Sequence, residues 1–157
     1  MKNTRIFAIA ALLLFSVAPK VHAACTSATA AGSFGFTTTG TLILPLPTGP
    51  VPVGAVGSIT FDLSGNTTGS QDRSLGGAFA HETLTGTLTV NRDCTISLLA
   101  NVFDSSGRLV RISTIDGVLV NNGKRIRPIF ETVVLANGVS LPSILTVEAD
   151  RIRGHAD

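Results

Sequence analysis

From Glu82 to Val90 the chain alternates without a slip. Leu84, Gly86, Leu88 and Val90 fall on one side, and Thr83, Thr85, Thr87 and Thr89 on the other. A period of two belongs to a β-strand with one dry face and one wet face. Asn91-Arg92-Asp93 follows and reads as a turn, because Asn and Asp bond their own backbone and tolerate left-handed angles. Cys94, Ile96, Leu98 and Ala100 resume the alternation, so the whole stretch is a hairpin. A chain built around such a hairpin must cover the dry face and manage its strand edges.

The rest of the chain repeats the theme. Ser33 to Thr39 puts Phe34 and Phe36 on one face. Leu42 to Val53 carries Pro45, Pro47, Pro50 and Pro52 and reads as an extended loop or ragged edge, since proline removes ladder donors. Ala55 to Leu63 alternates again, and Ser64-Gly65-Asn66 is a turn. Thr67 to Leu75 is a polar, weakly patterned strand that ends at Gly76-Gly77. Asp104 to Gly107 is a turn, Leu109 to Ile115 a strand, and Asp116-Gly117 a bulge or turn before Val118 to Val120. Asn121-Asn122-Gly123 is the strongest hairpin signal, because Asn-Gly suits the positive φ angles of a type I′ turn. Lys124 to Leu135 is a strand interrupted at Pro128. Asn137-Gly138 is another turn, Val139 to Ala149 a final strand, and the tail from about Asp150 is expected to fray.

Seven to nine strands joined by tight turns predict an all-β antiparallel meander. Closure into a barrel hides its edges, and packing two sheets hides them in part. Gly35, Gly57 and Gly86 inside strands suit the bends of a small barrel. The expected fold is a small closed up-and-down β-barrel, lipocalin-like or allene-oxide-cyclase-like, with a β-sandwich as the alternative.

The N-terminus changes the charge. Lys2 and Arg5, the apolar run Ile6 to Val17, and Val21-His22-Ala23 have the layout of a secretory signal peptide cleaved after Ala23. Residues 1–23 are then a leader and 24–157 a single domain. Lipidation of Cys25 is the alternative, although His22 stands where a lipobox wants an aliphatic residue. Export implies a periplasmic or extracellular protein. The full chain is formally +2, but Lys2, Arg5 and Lys20 leave with the leader, so nine basic residues face ten acidic ones. A near-neutral chain without Trp or Tyr lacks the basic, aromatic surface that single-stranded nucleic acid needs. No later apolar run has membrane-spanning length.

Two cysteines, Cys25 and Cys94, in an exported chain favour a disulfide. A reactive thiol would need a setting that lowers its pKa, and Arg92 is the one nearby cation.

Several motifs together suggest a family. They are Cys25 with Gly32-Ser33-Phe34-Gly35-Phe36, Phe61-Asp62-Leu63-Ser64-Gly65-Asn66, Glu82-Thr83-Leu84-Thr85-Gly86-Thr87, and Val90-Asn91-Arg92-Asp93-Cys94-Thr95. In that order they resemble a group of small exported bacterial proteins of unknown function, which share an E-T-x-T-G-T-x-T-V-N-x-D-C-T motif. Leu88 stands where that pattern has Tyr, and Ile96 where it has Gly. The resemblance covers most of the mature chain and supports the Cys25–Cys94 pairing. It implies a fold rather than a catalytic assignment.

The chemistry on offer is sparse. There is no G-x-S-x-G elbow for a nucleophilic serine. His81 and His155 outlast the leader; His81 adjoins Glu82, but neighbours on a strand face opposite ways. No His, Cys or carboxylate cluster has metal-ligand spacing, and no cofactor motif is present. Asp72, Arg73 and Glu82 are the candidate ligand-binding residues if they project into a barrel lumen. The plainer reading is a solvated ion pair on a polar strand. Lys124, Arg125 and Arg127 form a small basic group suited to blocking edge pairing.

Three functions fit. The first is a non-catalytic exported barrel binding a small apolar ligand or a protein partner. The second is an envelope or fibre-like subunit, with Lys124 to Leu135 accepting a neighbour's strand. The third, weaker, is a barrel enzyme resembling allene oxide cyclase and dirigent proteins, which requires a few polar residues in the lumen.

Overall fold

A computed structural model describes residues 24–152. The expected leader (1–23) and residues 153–157, including His155, lie outside the described residues. The described chain opens with a helical turn, α1 (Ser27–Ala30). Eight strands follow: β1 (Gly32–Leu44), β2 (Gly49–Phe61), β3 (Asn66–Leu75), β4 (Ala78–Val90), β5 (Thr95–Asp104), β6 (Leu109–Val120), β7 (Arg125–Leu135) and β8 (Ser143–Arg151). They close in sequence order, each antiparallel to the next, with β1 paired to β8. The expected closed up-and-down barrel is the observed fold.

The alternation in β4 is realised residue by residue. Glu82, Leu84 and Leu88 are buried, while His81, Thr83, Thr85, Thr87 and Thr89 are exposed. Glycine permits close strand approach: a Cβ on Gly86 would lie 2.1 Å from the Leu99 carbonyl oxygen, and one on Gly57 2.2 Å from that of Ser70. Gly35 differs, since its Cβ would meet only Ile152 at ordinary contact distance.

The turns follow their side-chain chemistry. Asp62, Asp93, Asp104 and Asn137 each accept a hydrogen bond through Oδ1 from the backbone N–H two residues on, at 2.8–3.1 Å. Asn122 and Gly123 have φ of 54° and 72°, and Lys124 N–H donates to the Asn121 carbonyl. These are the angles expected of the Asn-Gly hairpin.

Several boundaries differ from the sequence expectation. Pro50 and Pro52 lie inside β2, opposite Ile43 and Thr41. The Pro52 carbonyl accepts from Gly76 N–H on the β3 side, so its missing N–H also faces that side and costs the β1 ladder nothing. Cys94 sits in the turn with φ 70°, not in β5. Strand β6 runs unbroken through Asp116-Gly117, and its register shifts fall elsewhere, against β7 between Thr114 and Ile115 and against β5 between Val102 and Phe103. Pro128 leaves β7 continuous and lies where pairing with β8 lapses between Ile126 and Ile129. Residues 139–142 form a loop that folds back on β7, with Leu141 N–H donating to the Val133 carbonyl. Finally, β8 runs through Arg151, past the point where fraying was expected.

The barrel has two unlike ends. At the base, Phe34, Phe61, Leu88, Ile96, Leu119, Ile126 and Ala149 pack with Cys25 and Ala30 into a continuous core. Cys25 and Cys94 are joined in a disulfide with Cα atoms 5.0 Å apart, tying α1 to the β4–β5 turn. Arg151 lies over the Phe34 ring, 4.8 Å from its centroid. It also donates to the carbonyls of Thr29, Ala31 and Gly123, clamping α1 across the opening. Gly123 is required here: a Cβ would come within 2.3 Å of the Thr29 carbonyl. At the other end, the mouth, a smaller cluster of Leu42, Val53, Val133, Leu141 and Leu145 lines the wall without filling the centre.

Candidate functional site

The site is the lumen. An upper chamber of about 350 Å³ opens at the mouth, and a narrower apolar pouch of about 70 Å³ continues below it. Thr38, Gln71, Arg111 and Phe130 border both. The combined space falls within the range of pockets that hold drug-sized ligands, about 300–1,000 Å³. Strand parity makes the lining: Leu84, Leu98, Ala100 and Val102 face the pouch because they occupy alternate positions on β4 and β5.

Between the chambers stands a polar cluster centred on Glu82, which is 2% exposed. It shares the parity of Leu84 and Leu88, so the same alternation that buries leucine buries the carboxylate. Gln71 is its direct cross-strand partner on β3 and donates from Nε2 to Oε2 at 2.6 Å. Arg73, two residues further along β3, donates from Nε to Oε1 at 2.9 Å. Arg111 reaches from β6 with both terminal nitrogens, Nη1 to Oε1 and Nη2 to Oε2, each at 2.7 Å. That two-pronged contact is the strong form of the Arg–carboxylate pair.

Burial alone would push the Glu82 carboxyl up. The hydrogen bonds and charge of Arg111, with Gln71 and Arg73, outweigh burial and hold it at about 2. Glu82 is therefore ionised at every ordinary pH, and each oxygen already accepts two hydrogen bonds. It is a weak base with no free acceptor position.

Of the three candidate residues, the structure brings Arg73 and Glu82 together inside the lumen and places Asp72 outside. Asp72 is exposed and meets His81 Nδ1 at 2.8 Å on the outer surface. The correction follows from parity, since Asp72 and Arg73 are neighbours and face opposite ways. The solvated ion pair expected among Asp72, Arg73 and Glu82 is not what forms: Arg73 and Glu82 pair out of solvent, and Asp72 makes an exposed hydrogen-bonded contact with His81 instead. Sequence reasoning missed Gln71, Arg111 and Ser113. Strand β6 offers no clear stripe, because Val110, Ile112 and Ile115 put apolar residues on both faces.

Ser113, two residues beyond Arg111 on the same face, lines the pouch and is 1% exposed. Among the described residues its Oγ is the buried side-chain polar atom without a hydrogen-bond partner. At the rim, Asp104 accepts from Ser106 and Arg108, and these bonds bring its carboxyl down to about 2. Among the described residues no group of three His, Cys, Asp or Glu side chains is placed to hold a metal ion, and no helix is long and apolar enough to cross a membrane.

No protein-family model matches the chain, and no curated protein matches it. Among solved structures, the crystal structure of Rv2717c from M. tuberculosis is similar at 13% identity and a TM-score of 0.38, over 80% of this chain and 94% of that one.

Proposed function

We propose that this protein is an exported, non-catalytic carrier or sensor barrel that binds a small, largely apolar molecule in its lumen. We propose further that it is one of the small exported bacterial proteins that its motifs resemble. The observation that carries the binding role is the contrast within the barrel: the base is packed and clamped, while a continuous lumen opens at the mouth. An apolar wall with a few convergent polar groups is the usual make-up of a small-molecule pocket. The disulfide accords with an oxidising compartment.

The barrel-enzyme reading has its polar lumen, but Glu82 is too weak a base, and too fully bonded, to move a proton. The fibre reading loses its free edge. Strand β7 is paired to β6 along its length, bridged to β8 at three positions near the base, and covered by the Ser140–Leu141 segment near the mouth.

Native mass spectrometry of the chain purified from an exporting bacterial host tests the proposal. Excess mass on a monomer, released on denaturation, is the expected result. A monomer of bare sequence mass that also takes up no hydrophobic probe overturns it, and a ladder of oligomers returns the subunit reading.

A further inference from the structure

We infer that the ligand is an amphipathic monoanion, an apolar chain ending in a carboxylate, with its head on Arg73 at the floor of the upper chamber. The inference rests on the lumen being a binding site, and it names the chemistry of the occupant.

Three observations carry it. The first is charge. Arg73, Arg111 and Glu82 leave one positive charge uncompensated inside the wall. The remaining charged group bordering the chamber, Asp104, is held by Arg108 through two hydrogen bonds at 3.0 and 3.1 Å and does not offset it. A surplus charge with restricted access to water favours a counter-charge far more than a surface residue does.

The second is donor geometry. Arg111 spends both terminal nitrogens on Glu82, and Glu82 has no acceptor position left. Arg73 spends only Nε. Among the described residues its Nη1 and Nη2 make no hydrogen bond, while its side chain is 19% exposed and borders the upper chamber. A guanidinium fixed by one edge and free at its terminal nitrogens is prepared for a planar oxyanion. Glu82 thus acts as a positioning residue that aims Arg73.

The third is the wall itself. Apart from the Gln71–Glu82–Arg111 girdle, the space is bordered mainly by aliphatic and phenyl groups, which suit a hydrocarbon chain and would leave a second charge unpaired. Thr38 and Ser113 add hydroxyls to this wall, and Ser113 is the one buried without a partner among the described residues. Its unpartnered Oγ in the pouch offers one hydrogen bond to an oxygen carried part-way along that chain.

Decanoate and decanol, compared by calorimetric titration against the delipidated protein, test the inference. They share a chain and differ in the head. Wild type is expected to bind decanoate about tenfold or more tightly than decanol, the worth of a charge-assisted hydrogen bond. Arg73→Gln removes that preference by weakening decanoate about tenfold or more relative to decanol, and Arg73→Lys, which keeps the charge without the fork, restores part of it. Ala80→Phe, which fills the upper chamber, abolishes binding of both. Thermal melts of each variant confirm folding. Equal affinity for both probes, unchanged in Arg73→Gln, overturns the anion inference and leaves the apolar-ligand proposal standing. Decanoate binding that survives Ala80→Phe overturns the placement in the lumen. Failure of both probes to bind wild type overturns the inference and the proposal together.

Discussion

The base and the mouth are built from the same eight strands by different means. At the base, side chains pack into a continuous core, a disulfide ties α1 in place, and Arg151 takes up the carbonyls of α1 and the β6–β7 turn. At the mouth, alternation continues but the side chains stop short of the axis and leave a chamber. In the middle, Glu82 and its donors form a ring that belongs to neither end. Stabilising contacts concentrated at one end free the other from having to be well packed. A site that must admit a ligand is drawn from such less tightly packed regions.

The largest test of the contrast is the disulfide. Cys94→Ser releases a closed loop spanning 69 residues, and the chain-entropy model puts the loss at about 4 kcal/mol. Guanidinium unfolding under oxidising conditions should show that loss. Equal midpoints for wild type and variant would mean that the clamp is not where base stability resides.

Acid titration probes the ring. The Glu82 carboxyl lies at about 2 when folded against an ordinary 4.5. A depressed pKa gives stability that is complete above the ordinary value and is lost as pH falls towards the folded one. The contribution is on the order of 3 kcal/mol, lost between about pH 4.5 and 2. Asp104 acts with the same sign in the same window. Urea unfolding as a function of pH reads the slope, and Glu82→Gln should flatten it. An unchanged slope in that variant would show that the ring carries none of the acid sensitivity.

Paired leucine truncations compare the ends directly. Leu88→Ala opens a cavity in packed core and should cost about 4 kcal/mol. Leu141→Ala borders space already empty and should cost about 2 kcal/mol. Equal costs, measured by chemical denaturation, would erase the distinction between the ends. Smallest of all, Asp72→Asn breaks the exposed pair with His81 and should change stability by less than about 0.5 kcal/mol. A larger loss would mean that the outward carboxylate has a structural role its exposure does not reveal.

Much of this was legible in the chain. Alternation from Leu84 to Val90 marked which side chains face inward; the same parity carries Glu82 to that face, where the plainer reading of the sequence puts a solvated ion pair. Asp and Asn at the turns, and Asn122-Gly123 with its positive φ angles, marked the corners. Polar β3 and two-sided β6 were harder to read, because neither has a clean dry face. Their inward residues Gln71, Arg111 and Ser113 therefore went unread.

Period-two alternation, turn chemistry and the cysteine count are local or compositional properties, and by themselves they specified an antiparallel meander and a plausible disulfide. Three things waited on tertiary structure. Closure joined β1 to β8. The fold brought Arg111 across 29 residues of sequence to Glu82. It also turned the expected frayed end into a clamp, through Arg151 reaching back to Thr29 and Ala31. The physical reason is common to all three. Parity decides the face on which a side chain stands, but which residue meets it across a lumen depends on the tilt and stagger of closed strands.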